Sequence, residues 1–265
     1  MEIIGYLASI LIGVTLGLIG GGGSILTVPV LVYLFGIDAV LATAYSLFIV
    51  GLTSAVGSVK FFQVGLVNVR TAIIFGIPSI IAVFLTRAYL VPALPAEVAI
   101  TDSFVLTKGN MMLLLFSIVM IGASFSMIRG KSDEEVVEEG EQKFNYPLIL
   151  LEGAVVGVLT GLVGAGGGFL IIPALVVLSK LPMKQAVATS LVIIAAKSLI
   201  GFLGEGGHST IDWPFLGIIS AFAIVGIFIG MSLSRKIDGK KLKPVFGWFV
   251  LIMGIGIILK ETFFQ

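Results

Sequence analysis

Apolar residues along this chain gather into ten runs, at roughly 3–18, 25–36, 40–57, 71–91, 110–128, 147–163, 169–179, 184–203, 213–233 and 244–260. Several reach the ~20 residues needed to cross ~30 Å of hydrocarbon at ~1.5 Å per residue, and these predict membrane-spanning helices. The runs at 25–36 and 169–179 are too short to cross, and both follow glycine clusters. Lipid offers no hydrogen-bond partners, so glycine-rich backbone at membrane depth is tolerable only where protein or a water-filled cavity satisfies it. One stretch is strongly hydrophilic, RGKSDEEVVEEGEQK from Arg129 to Lys143, and it predicts a cytoplasmic linker. The expected organisation is a first transmembrane repeat at 1–128, a linker at 129–146 and a second repeat at 147–265.

The two halves resemble each other. Sliding the chain on itself by 144 residues aligns GLIGGGGSILTVP (17–29) with GLVGAGGGFLIIP (161–173), and the match continues without a gap to 57 and 201, with 17 identities in 41 positions. Glycines, prolines and serines stay in register, including Gly20/Gly164, Gly22/Gly166, Gly23/Gly167, Pro29/Pro173, Ser46/Ser190 and Ser54/Ser198. Shared apolar composition does not produce such a pattern, so an internal duplication is expected.

Charge then decides how the short runs behave. Cytoplasmic loops carry an excess of Lys and Arg. If each short run pairs with the run before it and returns to the same side, twelve basic residues share one side, and only Arg87, Lys108 and Lys260 fall opposite. If each pair instead forms one broken crossing, the division is nine against six. The first arrangement predicts five helical elements per half, halves inserted in opposite orientation, and both termini outside. Inverted repeats of this kind are a common transporter architecture, with the site between the repeats. The expected fold is therefore an all-α polytopic protein of the cell membrane, each repeat containing a short half-helix after a Gly-rich break.

Composition supports the membrane reading: 58% of the 265 residues are apolar and 12% charged, against roughly half and a quarter in soluble domains. The net charge of +1 provides no broad basic field for nucleic acid. No cysteine is present, which excludes disulfides and thiolate metal sites. Residues 1–18 have no basic n-region and read as a retained span, not a cleaved signal.

Candidate chemistry gathers at the glycine tips, Gly20, Gly21, Gly22, Gly23 and Ser24 in the first half and Gly164, Ala165, Gly166, Gly167 and Gly168 in the second. Each tip precedes a helix N-terminus, where unpaired N–H groups and the helix dipole favour an anion. Ser24 is expected to N-cap a helix starting near Ile25. Pro29 and Pro173 lie early in the following helices, as structural residues. The next span of each half carries a small and polar stripe at helical spacing: Ser46, Val50, Thr53, Ser54 and Gly57, then Ser190, Ile194, Lys197, Ser198 and Gly201. Lys197 lies ~20 Å inside its span counted from Lys184, where a charge is costly and usually functional. Snorkelling to the outer interface is the alternative. Thr53 stands where the second half has Lys197, so the proposed site is asymmetric. Tyr45 and Thr189 adjoin the paired serines and face either the site or a neighbouring helix. Lys60, Gln63 and Asn68 are expected in a solvated connection, and Glu205 and His208 in an outer loop.

These residues point to a family. The duplicated GLIGGGGSILTVPVL and GLVGAGGGFLIIPAL, with ATAYSL and AVATSLVI after them, resemble the TauE/SafE family of bacterial and archaeal sulfite and organosulfonate exporters. The resemblance implies a membrane permease for small sulfur-containing anions and carries over Gly20 to Gly23, Pro29, Gly164, Gly166 to Gly168 and Pro173 as motif positions. Ala165 and Gly168 depart from perfect duplication of Gly21 and Ser24.

The expected function is secondary transport of a small anion such as sulfite, a sulfonate or a carboxylate, bound between the tips. A passive anion channel of the same architecture is the alternative. No cofactor or metal is expected. A coupling proton or sodium ion and the oligomeric state stay open. One histidine, no HExxH and no acidic pair within a span leave an intramembrane enzyme almost without catalytic residues. No strand precedes the glycines and no GK[ST] follows, against a nucleotide site.

Overall fold

A computed structural model describes residues 2–21, 23–101, 104–129, 146–177, 179, 181–205, 211–234 and 239–263. Residues 130–145 of the expected linker, Gly22 and His208 therefore lie outside the described residues. The first half contains α1 (Glu2–Ile19), α2 (Ser24–Pro29) continuing as a π-helical turn (Val30–Leu34), and α3 (Ala39–Gln63). Next comes α4 (Val69–Leu85), which widens into a second π-turn (Thr86–Leu90) and ends in the short α5 (Val91–Ala93). Then follow β1 (Glu97–Thr101), β2 (Phe104–Thr107) and α6 (Lys108–Arg129). The second half contains α7 (Tyr146–Val163), α8 (Gly168–Val177), α9 (Met183–Leu203), α10 (Trp213–Ser234) and α11 (Gly239–Phe263). Among the described residues, five helices are long and apolar enough to cross a membrane.

The protein is largely but not wholly helical. β1 and β2 form an antiparallel hairpin, Val98 opposite Leu106 and Ala99 opposite Val105, which corrects the all-α expectation. The segment EVAIT–DS–FVLT is rich in β-branched residues and short, so an extended pair suits it better than another helical turn.

Helix faces are sorted as lipid demands. On α4, Val69, Ile73, Ile77 and Ile81 are exposed while Thr71, Phe75, Gly76 and Ser79 are buried. Exposed apolar stripes of this length, over a core that holds serines and threonines, fit a hydrocarbon surrounding and not water. Helices α3 and α9 are buried along most of their length and pack against each other at the centre. Around them α1 packs on α10, α4 on α7 and α6 on α11. The α1–α10 seam is built on small residues: Gly13 and Gly17 of α1 meet the backbone of Ala223 and Ile227, and Gly226 and Gly230 meet Ile10 and Val14. Two facing GxxxG patterns let these backbones touch.

Contacts across the molecule come in matched twos, whose corresponding members lie 144 positions apart. Gly20 packs on Val187, and Gly164 on Thr43. Gly57 packs on Ile227, and Gly201 on Val83. The backbone N–H of Asp212 donates to Tyr45 Oη at 2.7 Å, and that of Asn68 to Thr189 Oγ1 at 3.0 Å. In each case, adding 144 to one member of a pair gives the partner's counterpart. Tyr45 and Thr189 thus face neighbouring connections, and Asn68 caps α4 by accepting from Thr71 N instead of merely being solvated.

Candidate functional site

Each glycine cluster begins as a helix stop. Gly20 (φ +75°) and Gly164 (φ +74°) take the left-handed conformation, and their N–H groups return to Leu16 O and Thr160 O, both at 2.8 Å. That is the αL C-cap, for which glycine is the residue without a Cβ penalty. The chain then reverses, and the two tips meet directly: a Cβ on Gly168 would collide with the Gly21 backbone, and one on Gly21 would lie 2.5 Å from Gly168 Cα. Gly166 packs beside Ser24 and Val50. In this conformation the tips are closed on each other.

Ser24 does not act as the expected N-cap. It is the first residue of α2, Gly23 at the N-cap position is already helical (φ −65°, ψ −22°), and the Ser24 hydroxyl donates to Gly21 O at 2.8 Å. The turn before α2 is wound too early for the serine to reach forward. Pro29 ends the α-helical part of α2, and the π-turn starts directly after it, with Phe35 N bonding five residues back to Val30 O. Proline lacks the N–H that would continue the ladder, so the register is free to widen there. Pro173 lies inside α8 without such a turn.

Lys197 is the charged group at this site. It is fully buried, and Nζ donates to Thr160 Oγ1 of α7 at 2.8 Å. The ammonium also lies 2.7 Å from where a Cβ on Gly167 would stand, so it reaches the backbone of the second tip and does not snorkel. No carboxylate pairs with it among the described residues. Thr160 and Gly167 also line a narrow crevice with Val119 of α6 and Phe169 and Leu170 of α8.

The stripe residues are buried as their spacing implied. Ser190 Oγ lies 3.1 Å from Gly20 O and 2.8 Å from Val187 O, so it ties α9 to the first tip. Ser46, Thr53, Ser54 and Ser198 are buried with hydroxyls that reach no partner among the described residues. Unpaired buried hydroxyls cost free energy, and such groups are rare in folded cores. Lys60 and Gln63 are exposed, in keeping with a solvated connection.

Glu205 lies in a connection as expected, but not as a solvated residue. Although it follows α9 in a turn, it is buried, and Oε2 accepts from Arg87 Nη1 at 3.2 Å. Neither residue stands out locally, because 118 positions separate them.

A match to the family described as "Sulfite exporter TauE/SafE" covers residues 5–257. The chain belongs to this family. Its relatives include a probable membrane transporter protein of Xylella fastidiosa strain 9a5c, 29% identical over 258 residues, 95% of this chain and 92% of the relative. A probable membrane transporter protein of Methanocaldococcus jannaschii is 30% identical over 263 residues, covering 94% and 92%. The YunE probable membrane transporter protein of Bacillus subtilis is 26% identical over 269 residues, covering 96% of each. No solved structure matches the chain. The TauE/SafE membership and the apolar helices make this a multi-pass membrane protein of a transporter family.

Proposed function

We propose that this TauE/SafE protein is a secondary transporter of small oxyanions such as sulfite or sulfonates, acting in export and not as an enzyme. The observation that carries the reading is Lys197, a buried cation held by a neutral hydroxyl and set against a glycine tip. Burying a charge without a partner is expensive, and an anionic substrate supplies the missing charge. Gly21, Gly167 and Gly168 of the tips bring backbone close without side chains in the way, and Ser46, Thr53, Ser54 and Ser198 add hydroxyls with bonding capacity to spare.

The contacts exchanged between counterparts 144 positions apart support two repeats of five helical elements each, related by a pseudo-two-fold axis and inserted in opposite senses. Rocking of one repeat against the other then separates Gly21 from Gly168 and exposes the site to each side in turn. A coupling proton or sodium ion completes an active cycle.

Purified protein in liposomes tests this. Labelled sulfite or methanesulfonate is expected to accumulate by counterflow, with a flux that saturates. Flux without counterflow would identify a channel, and no flux of either anion with no binding by calorimetry overturns the reading.

A further inference from the structure

Arg87 is a second buried cation, and its one ion pair leaves most of its bonding unused. The side chain is fully buried, and Nη1 is 3.2 Å from a single Glu205 oxygen. Nε and Nη2 are buried with no acceptor among the described residues. A guanidinium offers a planar fork of donors that fits two oxygens at once, so a single long contact is a poor match. Desolvating both charges for so little return makes the pair a weak stabilising device.

The backbone at Arg87 is unusual as well. Helix α4 opens into the π-turn Thr86–Leu90 there, with Val91 N returning to Thr86 O, and π-turns concentrate at functional sites. The turn holds Arg87 against the end of α9, where a Cβ on Gly204 would lie 3.0 Å from Arg87 Cβ. Lys197, Gly201 and Glu205 recur every four residues, so the Arg87 pair lies about 12 Å beyond Lys197 on the same side of α9. Val83 packs on Gly201 between them. Thr86 packs on Gly161, the neighbour of the threonine that holds Lys197.

We infer that Arg87 is a second anion station and that Glu205 is its resident stand-in. The carboxylate holds the guanidinium through Nη1 until a small oxyanion with two or more equivalent oxygens engages the open Nε–Nη2 fork and releases it. Sulfonate, sulfite and carboxylate share that chemistry. The station's place on a transport path rests on the function proposed above, but anion binding at Arg87 does not.

The test is chemical rescue in the purified full-length protein, read by thermal unfolding with sulfite, methanesulfonate or acetate, and chloride at matched ionic strength as control. Glu205→Ala is expected to melt lower than the parent, with the loss restored by millimolar oxyanion and not by chloride. The Arg87→Gln, Glu205→Ala double variant is expected to show no rescue. Should Glu205→Ala fail to fold, Glu205→Gln is measured by calorimetry and is expected to bind oxyanion about tenfold more tightly than the parent. Absent rescue, equal rescue in the double variant, or unchanged affinity in Glu205→Gln overturns the station. Rescue without liposome flux would leave the station standing and count against the transporter reading. Flux without rescue would do the reverse.

Discussion

At the scale of single residues, the buried Lys197 carries a cost to the fold and, under the proposed function, a use, and the two can be separated. Lys197→Met keeps the length of the side chain and removes the buried charge. Thr160 then turns its hydroxyl to its own helix, as buried threonines readily do. Replacing a buried charge by an apolar group of similar volume is often neutral or stabilising by ~1–4 kcal/mol. The expected outcome is a melting temperature no lower than the parent's, with oxyanion binding by calorimetry at least about tenfold weaker. Unchanged affinity would remove the lysine from the site. The tip glycines give a contrast of a different kind. A Cβ in the left-handed region costs ~1–2 kcal/mol at either Gly20 or Gly164. At Gly20 the obstacle is the Val187 side chain, which can rotate, but at Gly164 it includes Thr43 backbone at 2.5 Å. Gly164→Ala is therefore expected to lower the melting temperature more than Gly20→Ala, and equal shifts would contradict the packing described here. Lys197 was legible in the sequence because depth within an apolar run is a one-dimensional quantity. The Arg87–Glu205 pair was not, because no local pattern joins residues 118 positions apart.

At the scale of elements, the half-helices were legible because each is short and follows a glycine break, a combination lipid forbids elsewhere. Their inner detail was not. The π-turn after Pro29 and that at Thr86–Leu90 depend on which carbonyl the next N–H finds, which apolar periodicity does not encode. Nor does residue type alone reveal that Ser24 bonds backward to Gly21. The capping of α4 and α10 offers a check on how closely the halves correspond. Asn68 Oδ1 accepts from Thr71 N at 2.9 Å, and Asp212 Oδ1 from Phe215 N at 3.0 Å, at positions 144 apart. Loss of an N-cap costs about 1 kcal/mol. Asn68→Ala and Asp212→Ala are thus expected to lower the melting temperature by similar amounts, while Asp212→Asn, which preserves the acceptor, leaves it nearly unchanged. A large difference between the two alanine variants would mean that the connections do different structural work.

At the scale of the whole molecule, the duplication and the charge distribution lead to one arrangement in the membrane. The resemblance of the halves was visible because glycines and prolines stay in register where apolar residues vary, whereas the hairpin Glu97–Thr107 interrupts the first half with no counterpart in the pattern. On the function proposed above, five helical elements per half reverse the second half relative to the first, and the basic residues other than Lys197 then divide twelve to three. The proposed arrangement predicts Lys60, at the end of α3, in the cytoplasm, and the hairpin with Glu97 outside. Both positions are exposed, and the chain contains no cysteine to compete. Single Lys60→Cys and Glu97→Cys variants therefore report orientation directly through a membrane-impermeant maleimide. Glu97→Cys is expected to label in intact cells, and Lys60→Cys only after the membrane is opened. Labelling in the opposite order would invert the protein in the membrane while preserving the repeat. Labelling of both from outside would mean that α4 does not cross between them, and the opposed insertion of the halves would fall with it.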